Sequence, residues 1–368
     1  MTGARNPELE AAIATDVDDA AAYFVYADWL QAEGDPRGEL ISLQLADSGA
    51  PDSDRDEQVR QLLAAPSLLG DVDAQLATFE WQWGFLRSVR LLNERDWMDD
   101  SFDVLPLVQR IFAAPVAAFV RELRVGVIRW MENGEDVPRV LAEVGRLGGA
   151  QHVRTLRLGD MDGHDCDLAH HPLGKLDSLS THFGALEELW LWGCDFELGR
   201  IDLPRLRKLR VETCGLGRAN LVAVLAAAAP ELEELTLWFG STNYGGDCTV
   251  ADLGPLLDGQ LFPKLKRLGL MNAEFTDELC LALVDAPVVA RLERLDLRMG
   301  TMGDDGARAL AARGPAFSHL QKLDVGDNFL SAEALTSLSA MGGFVVAGEQ
   351  KEIENDGEAD YRYVTAGE

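Results

Sequence analysis

An α/β solenoid of parallel strands is the fold class this sequence predicts, and three observations predict it. The pattern L-x-x-L-x-L, with Val tolerated in an apolar slot, recurs nine times between residues 86 and 325. Self-similarity at such periods marks repeat architectures, in which a unit buries its apolar side only by stacking on the next. Several segments between copies carry amphipathic helical patterns behind capping residues. Both ends depart from the repeat, as terminal units must when one side faces water.

The copies begin at Leu86, Val120, Val153, Leu186, Leu206, Leu232, Leu265, Leu292 and Leu320. Their middle apolar residues are 89, 123, 156, 189, 209, 235, 268, 295 and 323, spaced by steps of 20 to 34 residues. The last two apolar residues of each copy are two apart, which places both on one side of a strand. Stacked in parallel, these strands build an apolar wall, with strands expected at 187–192, 233–238 and 293–298. Helical returns are expected behind Asn220, Thr276 and Ser331 as caps. The 20-residue step before Leu209 contains Pro204 and is too short for a full helix, so an extended or 3₁₀ return is expected there.

These copies resemble leucine-rich repeats over about residues 84–330, and their length and helical returns resemble the ribonuclease-inhibitor class, a β/α horseshoe. The resemblance implies that Asn328, Cys194 and Cys214 occupy the buried position that closes a repeat, and it implies a structural role for both cysteines. The string VYADWLQAEGDPRGELISLQ at 25–44 resembles the bacterial repeat-companion domain that commonly precedes repeat arrays. Three segments are therefore expected: an N-terminal helical module and acidic linker at 1–60, the repeat array at 61–340, and a cap at 341–368. In the module Tyr23, Val25, Tyr26, Trp29 and Leu30 would pack on the first repeats, with Asp28 and Arg37 as an ion pair. The module is read as a cap, with docking of its own partner as the alternative. Residues 47–58 have the composition of an exposed loop. In the cap, FVVAGEQ and YRYVTA are expected to pair across an acidic turn.

Charge narrows the function. The chain has 62 acidic and 33 basic residues, a net −29, which repels a phosphate backbone, so nucleic acid is not an expected ligand. No apolar run reaches the roughly 20 residues that cross a bilayer, and the N-terminus carries no secretory signal pattern. Five cysteines make no disulfide framework and point to a reducing cytoplasm. The sequence lacks G-x-x-x-x-G-K-S/T, H-E-x-x-H, G-x-S-x-G and paired C-x-x-C motifs, so neither a cofactor nor catalysis is expected. His164, Cys166, His170 and His171 invite a zinc reading, but their irregular spacing and the flanking Gly163 and Pro172 favour an exposed polar loop.

The repeat frame indicates which side chains project from the wall. The fifth position of each copy gives Arg90, Arg124, Arg157, Trp190, Arg210, Thr236, Gly269, Asp296 and Asp324. The seventh brings in Trp192, Glu212, Trp238, Met271 and Arg298. Tryptophan and arginine dominate binding hot spots. The expected partner-binding set is therefore Trp190, Trp192, Arg210, Glu212, Trp238, Met271, Arg157 and Arg298. It forms a locally basic surface suited to an acidic protein segment. The expected function is a non-enzymatic scaffold or adaptor; the alternative is an inhibitor or immunity-type protein sequestering one enzyme or toxin.

Overall fold

The computed structural model describes residues 3–47, 53–65, 68–96, 98–130, 132–160, 167–355 and 360–367. It divides into two compact units, Met1–Asp160 with Thr181–Ala185, and Met161–Ser180 with Leu186–Glu368. No helix among the described residues is long and apolar enough to cross a membrane.

The first unit opens with helices α1 (Pro7–Thr15), α2 (Ala20–Ala32) and α3 (Pro36–Leu45). Asn6, Asp19 and Asp35 cap them by accepting backbone N–H bonds, and prolines stand at the first turns of α1 and α3. A fourth helix, Ser53–Leu63, occupies much of the expected acidic loop. Asp54 and Asp56 in its first turn and Arg60 in its last suit the helix dipole, so a composition typical of loops still supports a helix.

Strand β1 (Ala77–Gln82) runs antiparallel to β2 (Phe85–Leu91), which pairs in parallel with β3 (Glu122–Val125), and β3 with β4 (Thr155–Leu158). The repeat pattern does not announce β1. A two-residue turn at Trp83-Gly84, both with positive φ, joins it to β2. Gly84 is confined doubly, because its N–H donates to Gln44 Oε1 at 2.7 Å and a Cβ there would press on Ile41.

The helical module packs on these strands through aromatic rings. Tyr23 meets Trp83, Phe85 and Phe119 at 5.0, 5.8 and 6.2 Å between centroids, while Tyr26 stacks on Phe85 at 5.9 Å. The Tyr26 hydroxyl donates to Glu10 at 2.8 Å, and Glu10 pairs with Arg5. Two expectations are corrected. Arg37 is buried and pairs with Asp35 at 2.8 Å, not with Asp28, which is exposed on α2. Val25 is exposed too, because the inward face of α2 is taken by Tyr23, Tyr26, Ala27 and Leu30.

In the second unit β5 (Pro172–Lys175) pairs in parallel with β7 (Cys194–Glu197) as a small side sheet. The main sheet runs β6 (Glu188–Trp192), β8 (Lys208–Glu212), β9 (Glu234–Gly240), β10 (Arg267–Ala273), β11 (Arg294–Asp296), β12 (Lys322–Asp324) and β13 (Val345–Val346), all parallel. Leu189, Leu209, Leu235, Leu268, Leu295 and Leu323 stand in register and are buried. Each such side chain contributes about 1.5–3 kcal/mol on leaving water.

Asn328 closes its repeat as the resemblance implied. Its amide donates to Leu297 O, Val325 O and Gly326 O, and Oδ1 accepts Met302 N–H at 3.0 Å. Ser331 caps the helix Ala332–Ser339 as expected. Asn220 does not cap: its helix starts at Arg218, and the side chain instead bonds Phe196 O and Leu198 N–H across the neighbouring return. Thr276 is the first residue of its helix, with its hydroxyl donating to Ala273 O. The return holding Pro204 contains no helix: it makes a bridge at Asp202 and a turn at Pro204-Arg205 closed by Leu206 N–H on Leu203 O.

The C-terminal expectation is also corrected. Val345-Val346 joins β12 as a parallel edge, and the antiparallel pair is β14 (Glu354–Asn355) with β15 (Asp360–Tyr361). Beyond it the chain doubles back over the ends of β10–β12. Arg362 pairs with Asp277 at 2.9 Å, Thr365 N–H reaches Met299 O, and Ala366 exchanges both backbone bonds with the Asn272 side chain.

Candidate interaction surface

Trp190 stands on β6 in register with Arg210 on β8, as the repeat frame requires. The Arg210 guanidinium lies 5.4 Å from the indole centroid. Trp190 Nε1–H donates to Glu212 Oε2 at 2.9 Å, and Arg210 Nε donates to Glu212 Oε1 at 3.0 Å. One buried carboxylate thus fixes the ring and the cation that flanks it. Glu212 is only 3% exposed, so it braces the patch from beneath and does not face outward as expected.

Trp192 and Trp238 are half-buried and pack against Leu168, Cys194 and Cys214, with Ala169 and Ala366 beside them. The tail therefore reaches the aromatic patch, which the strand pattern alone does not reveal. The Trp238 Nε1–H is buried without a hydrogen-bond partner. Met271, in register with Trp238, is 5% exposed and leaves the outward set; the tail is bonded to the next residue, Asn272.

The expected basic surface is instead neutralised by ion pairs. In the first unit Arg90 pairs with Asp160 at 2.6 Å, Arg124 with Glu122 at 2.8 Å, and Arg157 with Glu122 at 3.4 Å. In the second, Arg298 pairs with Asp296 and Asp324, Lys208 with Glu188, and Arg267 with Glu234. The carboxylates raise the Arg124 and Arg298 guanidinium pKa values further, chiefly because Glu122 and Asp296 accept their hydrogen bonds. Alternating signs along neighbouring strands make a polar rim with little net field. The fifth-position acids Asp296 and Asp324 were visible in the repeat frame; the ion pairs that they, Glu122, Glu188 and Glu234 make were not.

His164 and Cys166 lie outside the described residues. His171, expected in an exposed loop, is fully buried with its ring 5.6 Å from Trp192, because Leu168, Leu173 and Leu176 carry the segment inward. Neither ring nitrogen has a hydrogen-bond partner, and burial pushes the imidazole down to about 4. Among the described residues no three ligand-type side chains gather. Burial raises the Cys214 thiol, and raises those of Cys248 to about 12 and Cys280 still higher, disfavouring reactive thiolates.

A family model described as Leucine Rich repeat matches residues 292–311, the repeat that supplies β11. The chain is a leucine-rich-repeat protein. Its β/α architecture is that of the horseshoe class. A crystal structure of a Bacteroides fragilis protein matches this leucine-rich-repeat protein over 71% of this chain and 72% of that one, at 23% identity and a TM-score of 0.63. That likeness is one of fold. An internalin from Listeria monocytogenes covers 69% of this chain and 71% of its own, at 13% identity and a TM-score of 0.33. No curated protein matches the sequence. Leucine-rich-repeat folds serve in general as protein-interaction scaffolds, and no catalytic family is indicated here.

Proposed function

We propose that this leucine-rich-repeat protein is a non-enzymatic adaptor whose second unit takes a protein partner on the Trp190–Arg210 patch. The observation that carries the reading is the bracing of Trp190, whose indole N–H and flanking guanidinium share Glu212. A large ring held in one orientation binds without the entropy cost of ordering it. Arg298 and its neighbours would form the polar rim, and Trp192 and Trp238 the apolar floor. Arg157, the remaining arginine of the expected set, belongs to the first unit. The proposed setting is the cytoplasm, which suits Cys194, Cys214, Cys248 and Cys280, all present as thiols.

The companion-domain assignment of residues 1–60 is part of this proposal. It is supported by three capped helices that pack their aromatic face on the first strands. The test uses wild-type and Trp190→Ala baits in affinity purification from the native cell, followed by titration of the captured protein. The expected result is one or more partners whose Kd weakens at least about 30-fold in the variant, the size of a hot-spot loss. Equal retention by both baits would move the binding surface elsewhere.

A further inference from the structure

Helix α2 is apolar on two sides but packed on only one. Tyr23, Tyr26, Ala27 and Leu30 are buried, whereas Phe24 and Val25 are 53% and 57% exposed. Ala21, Asp28, Gln31 and Ala32 are exposed with them. Spacings of three, four and seven residues put Ala21, Phe24, Val25, Asp28 and Ala32 on one face, a stripe about 17 Å long. A helix that is apolar all round is ordinarily buried all round. Scattered exposed apolar residues need no explanation, but an adjacent Phe-Val pair within an aligned stripe does.

The charges that α2 itself presents have one sign, whereas Asp18 at its entry is already met by Arg87, Arg121 and Arg154. On α2 and its two caps they are Asp19, Asp28 and Glu33, all exposed. Between residues 3 and 47 the only cations are Arg5, which pairs with Glu10 at 2.6 Å, and Arg37, which is buried against Asp35. No cation in this segment is left to balance the exposed carboxylates. A complementary surface would offer an apolar ridge flanked by Lys or Arg.

We propose that the outer face of α2 docks a basic amphipathic helix of a partner protein, separately from the tryptophan patch. Phe24 and Val25 take the helix's apolar ridge, and Asp19, Asp28 and Glu33 meet its cations. This is the helix-in-groove mode, read by anchors at i, i+3 and i+4 and oriented by rim charge.

The experiment titrates the full chain with fluorescein-labelled 18-residue peptides of leucine and lysine or arginine, patterned as amphipathic helices. Scrambled peptides of identical composition control for attraction by the protein's net charge. The proposal expects saturable anisotropy for the patterned peptides alone and at least ten-fold weaker binding to Phe24→Ser/Val25→Ser. Asp28→Lys should weaken binding comparably, and Trp190→Ala should leave it unchanged. Both changed residues of the double variant are exposed, and an unaltered melting curve verifies folding; Phe24→Ala serves as a milder second variant. Equal binding of scrambled peptides, indifference to Phe24 and Val25, or loss on Trp190→Ala would overturn the proposal. So would self-association of the wild type in sedimentation that Phe24→Ser abolishes, since a second copy would then own the face. A negative result here leaves the Trp190 reading standing, because that reading is tested on a different variant.

Discussion

Trp190 and Trp192 sit two residues apart on one strand, yet their surroundings assign them different work. Trp190 is held by Glu212 and Arg210, outside the leucine wall. Trp190→Ala should cost about 1 kcal/mol of stability or less, the scale of an exposed cation–π contact and one hydrogen bond. Trp192 packs on the cluster of Leu168, Cys194 and Cys214 and against the His171 ring. Trp192→Ala should cost about 2–4 kcal/mol as a partly collapsed cavity. Urea titrations of the two variants check this, and equal losses would mean that Trp190 is also core. His171 supplies a pH prediction. Its folded-state pKa is pushed down to about 4, while the unfolded chain titrates near 6.5. Between these values the unfolded state binds the extra proton, so stability falls as pH drops through that window, by up to about 3 kcal/mol. In His171→Leu the difference in urea midpoint between pH 7.5 and pH 4.5 should shrink relative to wild type.

Among the elements, the N-terminal helices and the C-terminal tail are tied down by a few polar contacts that can be cut singly. Arg121, second residue of its repeat and nearly buried, donates to Asp18 and to Val17 O at the entry to α2. Arg154 approaches the same carboxylate at 3.4 Å. Arg121→Ala should destabilise the first unit by about 1–3 kcal/mol, since Val17 O loses its donor while the half-exposed Asp18 recovers water. Hydrogen exchange of α1 and α2 should rise first. Truncation after residue 359 removes Arg362 from Asp277 and Ala366 from Asn272 and the tryptophan cluster. That variant should melt lower and show red-shifted tryptophan emission as Trp238 becomes hydrated; unchanged emission would show that the tail does not cover the ring in solution.

At the scale of the whole chain, a net charge of −29 works against compaction, while the paired strand faces contribute almost nothing to that excess. Salt screens the excess over distances near 8–10 Å and weakens close, partly buried pairs much less. Melting temperature should therefore rise as ionic strength increases from about 0.02 to 0.5 M. A fall would mean that the cross-strand ion pairs outweigh the net repulsion.

What the sequence determined is whatever follows from periodicity. A strand repeats its facing every two residues, so L-x-x-L-x-L by itself names the wall residues and the register of Trp190 with Arg210. The capped helices of residues 7–45 follow from similarly local rules, and the buried Asn328 is what the leucine-rich-repeat resemblance implied. Tertiary structure alone decided what lies over the wall. Whether Glu212 points to water or to an indole, and whether Trp238 meets solvent or Ala366, depends on chain segments from 22 to over 120 residues away. Nothing in a repeat's own pattern encodes a distant segment's return. The same holds for β1, whose apolar residues match no copy. Local pattern specifies which face a residue occupies; long-range packing specifies what that face meets.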